Sequence, residues 1–268
     1  MKKITFIIII IISLIFLYGK YIEINNFKTN SYTIKNDNIP ESFKELKIVH
    51  FSDILYGEKT NKRLLDKLSK EINSIEADVI IFSGDLLKKD EKYNQKDYKF
   101  LKDYLKNLDA NLYKYAVIGD NDETHLEEYK DILYESDFVL LDNESTLLFY
   151  KDLIPINIIG LTNIENVSEL LISEIEYSYT LAITHKPDYL EELSNYEINT
   201  ILSGHSLGGI VNIPYYGGII KTEGAKTYIN NSYELNNTEL FISNGIGFNN
   251  FNFRLLNTPS INVYRFSN

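Results

Sequence analysis

The chain has no cysteine among its 268 residues, which excludes disulfides, thiolate metal sites and cysteine nucleophiles together. That absence leaves the compartment open, because a chain without thiols is viable on either side of a membrane. Positive charge is also scarce: 27 Lys and Arg face 38 Asp and Glu, for a net charge of -11. With that balance, and no basic patch interleaved with aromatics, the chain is unsuited to neutralising nucleic-acid phosphates. Histidine is confined to His50, His125, His185 and His205, so any imidazole chemistry draws on a short roster. No internal repeat and no low-complexity linker follow the amino-terminal region. What remains is ordinary globular composition, 44% hydrophobic and 24% charged, in a length suited to one large domain or two small ones.

The amino terminus is the exception. Met1-Lys2-Lys3 precedes an apolar run from Ile4 to Gly19, broken only by Thr5 and Ser13. At 1.5 Å per residue that run spans roughly 24 Å, slightly under the ~30 Å hydrocarbon core. Tyr18, Tyr21 and Ile22 extend it into the interface, where Tyr is comfortable. Tyr18-Gly19-Lys20-Tyr21 offers no small-x-small cleavage site. Residues 1–21 are therefore expected to be an uncleaved transmembrane anchor rather than a signal. Lys2 and Lys3 favour a cytoplasmic amino end, which puts the bulk of the chain outside the cytoplasm. Residues 22–45 read as a connector with a first strand, and 46–268 as the domain proper.

Within the domain, Lys47–Phe51 reads as a short apolar strand ending at Ser52-Asp53. Leu64, Leu65, Leu68, Ile72 and Ile75 then mark one face of a helix over Asn61–Ile75. Asp78–Phe82 is a second buried strand, ending at Ser83-Gly84-Asp85, and a helix carrying Leu101, Tyr104 and Leu105 follows. Tyr115–Ile118 is a third strand, ending at Gly119-Asp120, and Asp122 reads as the N-cap of a third helix. Strand and helix alternating in this way imply a mostly parallel sheet. Ligands sit at the carboxyl ends of such strands, so Asp53, Asp85 and Asp120 are expected to converge.

The second half changes character. Short strands are expected at Phe138–Leu141, Leu147–Tyr150, Ile156–Ile159, Thr180–Ile183, Thr200–Leu202, Ile219-Ile220, Leu240–Ile242 and Ile261–Tyr264. Too little helix remains to cover a second parallel sheet on both faces. The expectation is a largely antiparallel second sheet packed on the first.

The stretch Ile201–Gly209 decides the chemistry. Gly204-His205-Ser206-Leu207-Gly208 fits G-x-S-x-G, the elbow that presents a serine nucleophile. A serine hydrolase would need a histidine after Ser206 in the chain, and none follows; the context after the serine is turn and strand, not helix. The same stretch resembles the Ser-Gly-His-Thr-His-Gly-Gly turn of calcineurin-like metallophosphoesterases. Four further stretches share the resemblance: Ser52-Asp53-Ile54-Leu55, Ser83-Gly84-Asp85, Gly119-Asp120-Asn121-Asp122 and Thr184-His185-Lys186-Pro187-Asp188. So does the tail Gly245–Pro259, with Arg254-Leu255 ahead of Asn257-Thr258-Pro259. The chain is most similar in type to the membrane-anchored bacterial branch acting on lipid or envelope phosphoesters.

This resemblance implies an α/β (α+β) four-layer αββα sandwich, preceded by the transmembrane helix. It further implies a two-metal site of divalent ions (Mn, Fe, Zn or Mg) and a phosphomono- or diester substrate, such as a small molecule or lipid head group. Asp53, Asp85, Asp120, His185 and His205 stand at metal-ligand positions. Leu55 and Leu207 stand where the family has histidines of one metal, so that position is expected to be degraded and the other kept. Asn121 takes the place of the family's catalytic histidine; its amide donates a hydrogen bond but has no proton to give. Two readings stay open: a phosphoesterase working with one tight metal and weakened activity, or a pseudoenzyme that binds metal or a phosphorylated ligand. His50 reads as a packed core residue, and His125, one turn beyond Asn121, as a substitute for the missing histidine or a plain helix residue.

Overall fold

Alternating side-chain direction along the central strands creates two apolar faces on one sheet, and this dictates a layered arrangement. The protein is represented by a computed structural model that describes residues 2–248 and 252–267. Its helices are α1 (Lys2–Tyr21), α2 (Lys62–Ser74), α3 (Gln95–Lys106), α4 (Leu126–Glu135), α5 (Val167–Leu170) and α6 (Leu190–Leu193). The strands begin with β1 (Lys28–Lys35), β2 (Lys47–Phe51), β3 (Ala77–Phe82), β4 (Ala110–Ala116), β5 (Val139–Leu140), β6 (Glu144–Leu148) and β7 (Ile156–Leu161). They continue with β8 (Thr180–Thr184), β9 (Thr200–Ser203), β10 (Asn212–Ile213), β11 (Gly217–Gly218), β12 (Ser232–Leu235), β13 (Thr238–Ile242) and β14 (Ser260–Ser267). One sheet runs β1-β14-β2-β3-β4-β5 and the other β12-β13-β9-β8-β7-β6, while β10 and β11 form a separate hairpin.

Val49, Phe51, Ile80 and Phe82 face a core shared with Leu65 and Leu68 of α2, Leu101 of α3 and Ile132 of α4. Ile48, Val79 and Ile81 point the other way and meet Ile158, Leu181, Ile183 and Leu202 of the second sheet. Beyond that sheet, Ile159, Ala182 and Ile201 pack on Leu190 and Leu193. The order is helix, sheet, sheet, helix, the four-layer sandwich implied by the sequence resemblance.

Three expectations need correction. The second sheet is parallel at its centre, across β13-β9, β9-β8 and β8-β7, and antiparallel only at its edge pairs. The four-residue helices α5 and α6 are enough to cover its outer face, so long crossover helices are not needed. Val139–Leu140 joins the first sheet beside β4 rather than the second. Ile219-Ile220 lies beyond β11 and outside any strand. Within residues 22–45, β1 pairs in parallel with β14 along its full length.

Helix α1 is long and apolar enough to cross a membrane, and only Gly19 of it is buried. Its base is fixed to the domain. Phe16 stacks on Phe253 with ring centroids 5.4 Å apart, and a side chain at Gly19 would collide with Phe253 and the Arg254 carbonyl. The buried Glu23 carboxylate accepts from Leu256 N at 3.2 Å, Asn257 N at 2.9 Å and Thr258 Oγ1 at 3.0 Å. Removing it leaves buried donors unpaired, at about 1–3 kcal/mol. Glu23→Ala should therefore lower the unfolding temperature of the full chain in detergent, and Glu23→Gln, which keeps one acceptor, should lower it less. Equal unfolding of Glu23→Ala and the parent chain would contradict this anchoring.

Candidate metal centre

Strands β2, β3 and β4 run parallel and deliver Asp53, Asp85 and Asp120 just past their carboxyl ends. From the second sheet, parallel β8 and β9 deliver His185 and His205 in the same way. The turns that carry these residues are strained. Asp53, Asp85 and His205 have φ of 50°, 63° and 65°, and Leu55 and Leu207 have 48° and 46°. Such values are uncommon without glycine and persist only where surrounding structure imposes them. Their clustering around one cleft marks a built site.

Asp122 does much of the imposing. It is fully buried, and instead of capping a helix its carboxylate accepts four backbone N–H groups. These are Asp85 N at 2.7 Å, Leu86 N at 2.9 Å, Leu87 N at 3.0 Å and Gly119 N at 3.1 Å. The turns after β3 and β4 are thereby tied together. Gly119 permits this closeness, since a Cβ there would overlap the Asp85 backbone nitrogen and carboxylate.

The ligand atoms of Asp85, His185 and His205 lie within 4.8 Å of one another. His185 Nε2 is 3.3 Å from Asp85 Oδ2 and 3.0 Å from His205 Nδ1. The far side of each ring fixes its tautomer. His185 Nδ1 faces the Ser83 carbonyl at 2.7 Å, and His205 Nε2 faces the Glu223 carbonyl at 2.6 Å. A carbonyl only accepts, so each of those nitrogens carries a proton and each neutral ring turns a lone pair inward. Two lone pairs and a carboxylate facing one another at contact distance demand a cation between them, whether a proton or a metal ion. The residues present therefore fit a divalent metal, with imidazole and carboxylate suited to Mn, Fe or Zn.

The electrostatics agree. Burial alone would lower the His185 imidazole, but Asp85 and then Asp53 outweigh it and lift it to about 10. Burial also opposes ionisation of Asp85, yet the charge of His185 prevails and holds its carboxyl below the usual range. For His205, burial and the neighbouring His185 charge push the imidazole down. Asp53 is raised to about 6 by burial, with Asp85 adding to it and His185 opposing, in keeping with the repulsion expected of converging acids.

The other expected site residues fall around this cluster. The Asp53 carboxylate accepts from Ser52 Oγ and, at 3.0 Å, from His205 N. Asp120 points outward, its Oδ1 2.9 Å from Lys186 Nζ. Asn121 donates to Asp85 twice, from its backbone N at 2.8 Å and from Nδ2 at 2.5 Å. Ser206 is no nucleophile: its hydroxyl donates to the Ile229 carbonyl at 3.0 Å and accepts from Gly208 N at 3.1 Å. His50 is a core residue between Ser83 Oγ and Tyr264 OH, driven down to about 3 by burial. His125 packs edge-on against Tyr93, 5.1 Å between centroids. Leu55 and Leu207 are buried together with Ile210, against Val211 and Phe253. These two side chains present alkyl packing, with no lone pair, to that side of the site.

A cleft of about 520 Å³ opens over these residues, walled by Asp53, Asp85, Asn121 and His205 and by Lys88 and Ile220. Sequence reasoning missed Lys88, half-buried with Nζ 4.7 Å from the Phe248 ring centroid. It also missed Asp122 as a clamp and the two carbonyls that set the histidine tautomers. Of the tail resembling the family, residues 249–251 lie outside the described residues. The buried Arg254 donates to the Asn244, Gly245 and Gly247 carbonyls at 2.6, 3.2 and 2.6 Å, shaping the loop beside Asp53.

Comparison with known proteins points the same way. A family model described as calcineurin-like phosphoesterase matches residues 46–209. The metallophosphoesterase YkuE of Bacillus subtilis is 27% identical over 259 residues, covering 92% of this chain and 88% of its own. YkoQ of the same organism is 27% identical, covering 93% and 94%. The UDP-2,3-diacylglucosamine pyrophosphatase LpxG of Chlamydia muridarum is 25% identical, covering 75% and 74%.

A proton-linked affinity follows from the facing imidazoles. Without a metal ion, His185 at about 10 keeps a proton through neutral pH. A metal ion needs both imidazoles neutral, so binding displaces that proton. Affinity should therefore rise with pH, by roughly tenfold per unit below the raised value, with about one proton released. Calorimetric titration in buffers of different ionisation enthalpy measures the release; a pH-independent affinity would contradict the arrangement.

Proposed function

We propose that this chain, which belongs to the calcineurin-like phosphoesterase family, hydrolyses a phosphomono- or diester of a lipid or envelope molecule from a membrane-anchored position. The observation that carries the reading is the convergence of Asp85, His185 and His205, with both imidazole lone pairs turned inward beneath an open cleft. These three residues would hold one divalent metal ion, with Asp120 joining them by giving up Lys186. Such an ion, when bound, supplies Lewis-acid polarisation of a phosphoryl group and a more acidic water.

The remaining chemistry belongs to the chain. Lys88, with Lys89 beside it, attracts the phosphate into a cleft that also carries Asp53, Asp85, Asp90 and Glu91, and Asn121 holds Asp85 in place while offering a neutral donor. Having no proton to transfer, Asn121 forgoes the ~10²–10⁴ that a general acid contributes. With Leu55 and Leu207 filling the second metal position, turnover is expected to be slow. Envelope or lipid linkage is supported by α1 and by the likeness to LpxG, whose name gives a diacylated sugar nucleotide as its substrate. Lys2 and Lys3 support a cytoplasmic amino end, with the cleft outside.

The paired leucines also favour a second reading, binding of metal or a phosphorylated ligand without turnover, and one assay separates the two. The full chain in detergent is supplied with Mn, Fe, Zn or Mg and given p-nitrophenyl phosphate and bis-p-nitrophenyl phosphate. Slow hydrolysis is expected, falling in His205→Ala by more than the ~100-fold typical of losing an outer partner of a ligand. Hydrolysis that survives His205→Ala would remove the catalytic assignment. A chain that binds metal yet turns over only after Leu55→His, Asn121→His and Leu207→His are combined would establish the second reading. Lys88→Ala should raise KM several-fold with little change in kcat; the opposite split would place Lys88 in the chemical step instead.

A further inference from the structure

We propose that the β10–β11 hairpin is a membrane-interface anchor that seats the cleft at the phospholipid headgroups. The proposal rests on the reading of α1 as a membrane anchor. It starts from exposure. Tyr215 and Tyr216 at the hairpin tip are 107% and 92% exposed, and Ile213, Ile219 and Ile220 are exposed beside them. Scattered apolar residues on a surface are ordinary, but a run of them on one projection marks a contact surface. Tyrosine with isoleucine is the composition favoured at the boundary between headgroups and acyl chains. The charge pattern agrees: a chain with 38 acids has none from His205 to Thr222. The chain as a whole, at a net charge of -11, is repelled by anionic lipid, whereas this stretch carries only Lys221 and is not.

Placement supplies the second argument. The hairpin stem is bonded to the strip that receives α1. Asn212 N donates to Leu255 O at 2.9 Å, and Leu255 N donates to Ile210 O at 3.0 Å. On the other side of that strip, Phe253 stacks on Phe16, Arg254 N donates to Gly19 O at 3.4 Å, and Glu23 accepts from Leu256 and Asn257. Two neighbouring-chain spacings separate the helix base from the hairpin stem, on the order of 10 Å. Tyr18 and Tyr21 at the helix base set the interface level there, and Leu256 between the two elements is also exposed. The occupant of this surface is thus the same bilayer that α1 enters.

The consequence for the site is direct. Ile210, Ile220 and Thr222 belong to the hairpin stem and also wall the cleft, and the next residue, Glu223, holds His205 through its carbonyl. A hairpin resting in the headgroup layer opens the cleft at the depth where a lipid-borne phosphoester lies.

The chain has no tryptophan, so a single introduced one reports its own surroundings. Three variants of the full chain are reconstituted in phosphatidylethanolamine and phosphatidylglycerol vesicles with bromine-labelled phosphatidylcholine: Ile10→Trp within α1, Tyr215→Trp, and Tyr134→Trp on α4. Bromolipid should quench Ile10→Trp and Tyr215→Trp several-fold more than Tyr134→Trp. Quenching of Ile10→Trp with Tyr215→Trp matching Tyr134→Trp would overturn the hairpin proposal and leave the anchor intact. Absence of quenching at Ile10→Trp would overturn the anchor and the proposal with it. A Tyr215→Trp shielded from both bromolipid and aqueous iodide would mean that another protein or a second copy covers the hairpin, which also overturns it.

Discussion

The metal centre depends on the buried carboxylate of Asp122. Four N–H groups from the turns after β3 and β4 end on it. Each would otherwise be a buried donor without a partner, at about 1–3 kcal/mol apiece. With both turns tied to one carboxyl group, Asp85 is locked at φ 63° with its carboxylate facing the second sheet. Asn121 then pins that carboxylate from the opposite side, and His185 meets its free edge. The Ser83 carbonyl, on the same β3 turn, also orients His185. One turn therefore sets the acid ligand directly and the imidazole ligand at one remove.

Beside the cluster, two leucines are held within the same frame. Leu55 and Leu207 are both buried, and they pack with Ile210. Burying a leucine side chain is worth roughly 1.5–3 kcal/mol, whereas a buried imidazole without an ion costs free energy as an unpaired polar group. As a pair they therefore add apolar burial to the fold and offer no lone pair to a metal ion. Their backbones nonetheless keep φ of 48° and 46°. The two leucine side chains on these strained turns are apolar and put the strain to no chemical use. The strain is thus a property of the loop framework, which the retained ligands on the same turns still need.

Much of this was legible in the sequence because period and position carry physical information. Strand runs ending at Asp53, Asp85 and Asp120 predicted three acids at one edge of a parallel sheet, whose strands do run parallel, while His185 and His205 were marked only by the resemblance of their motifs. Leu55 and Leu207 stood out because a motif position holds a residue unable to ligate. What stayed hidden depends on side-chain direction rather than on spacing. Asp122 has the sequence signature of an N-cap, yet it turns inward because four buried donors outweigh the cap it could make. Asp120 stands at a ligand position but faces Lys186, a pairing set by a loop with no readable code. The parallel centre of the second sheet was missed because helices as brief as Leu190–Leu193 look too slight to cover a sheet face, yet they suffice here.

Asp53 poses the sharpest question, because it sets a carboxylate beside the cluster of Asp85, His185 and His205 without belonging to it. Its retention need not signal a second metal. The same carboxylate accepts the backbone N–H of His205 at 3.0 Å and the Ser52 hydroxyl. His205 sits at φ 65°, a conformation that an L-residue holds only under constraint, and the Asp53 bond is part of that constraint. Asp53 thus aims a ligand of the surviving cluster while contributing no atom to it. Leu55 and Leu207, by contrast, offer only alkyl packing to that side of the site. Asp53 therefore has a task in the fold, positioning His205, that stands without a second metal ion.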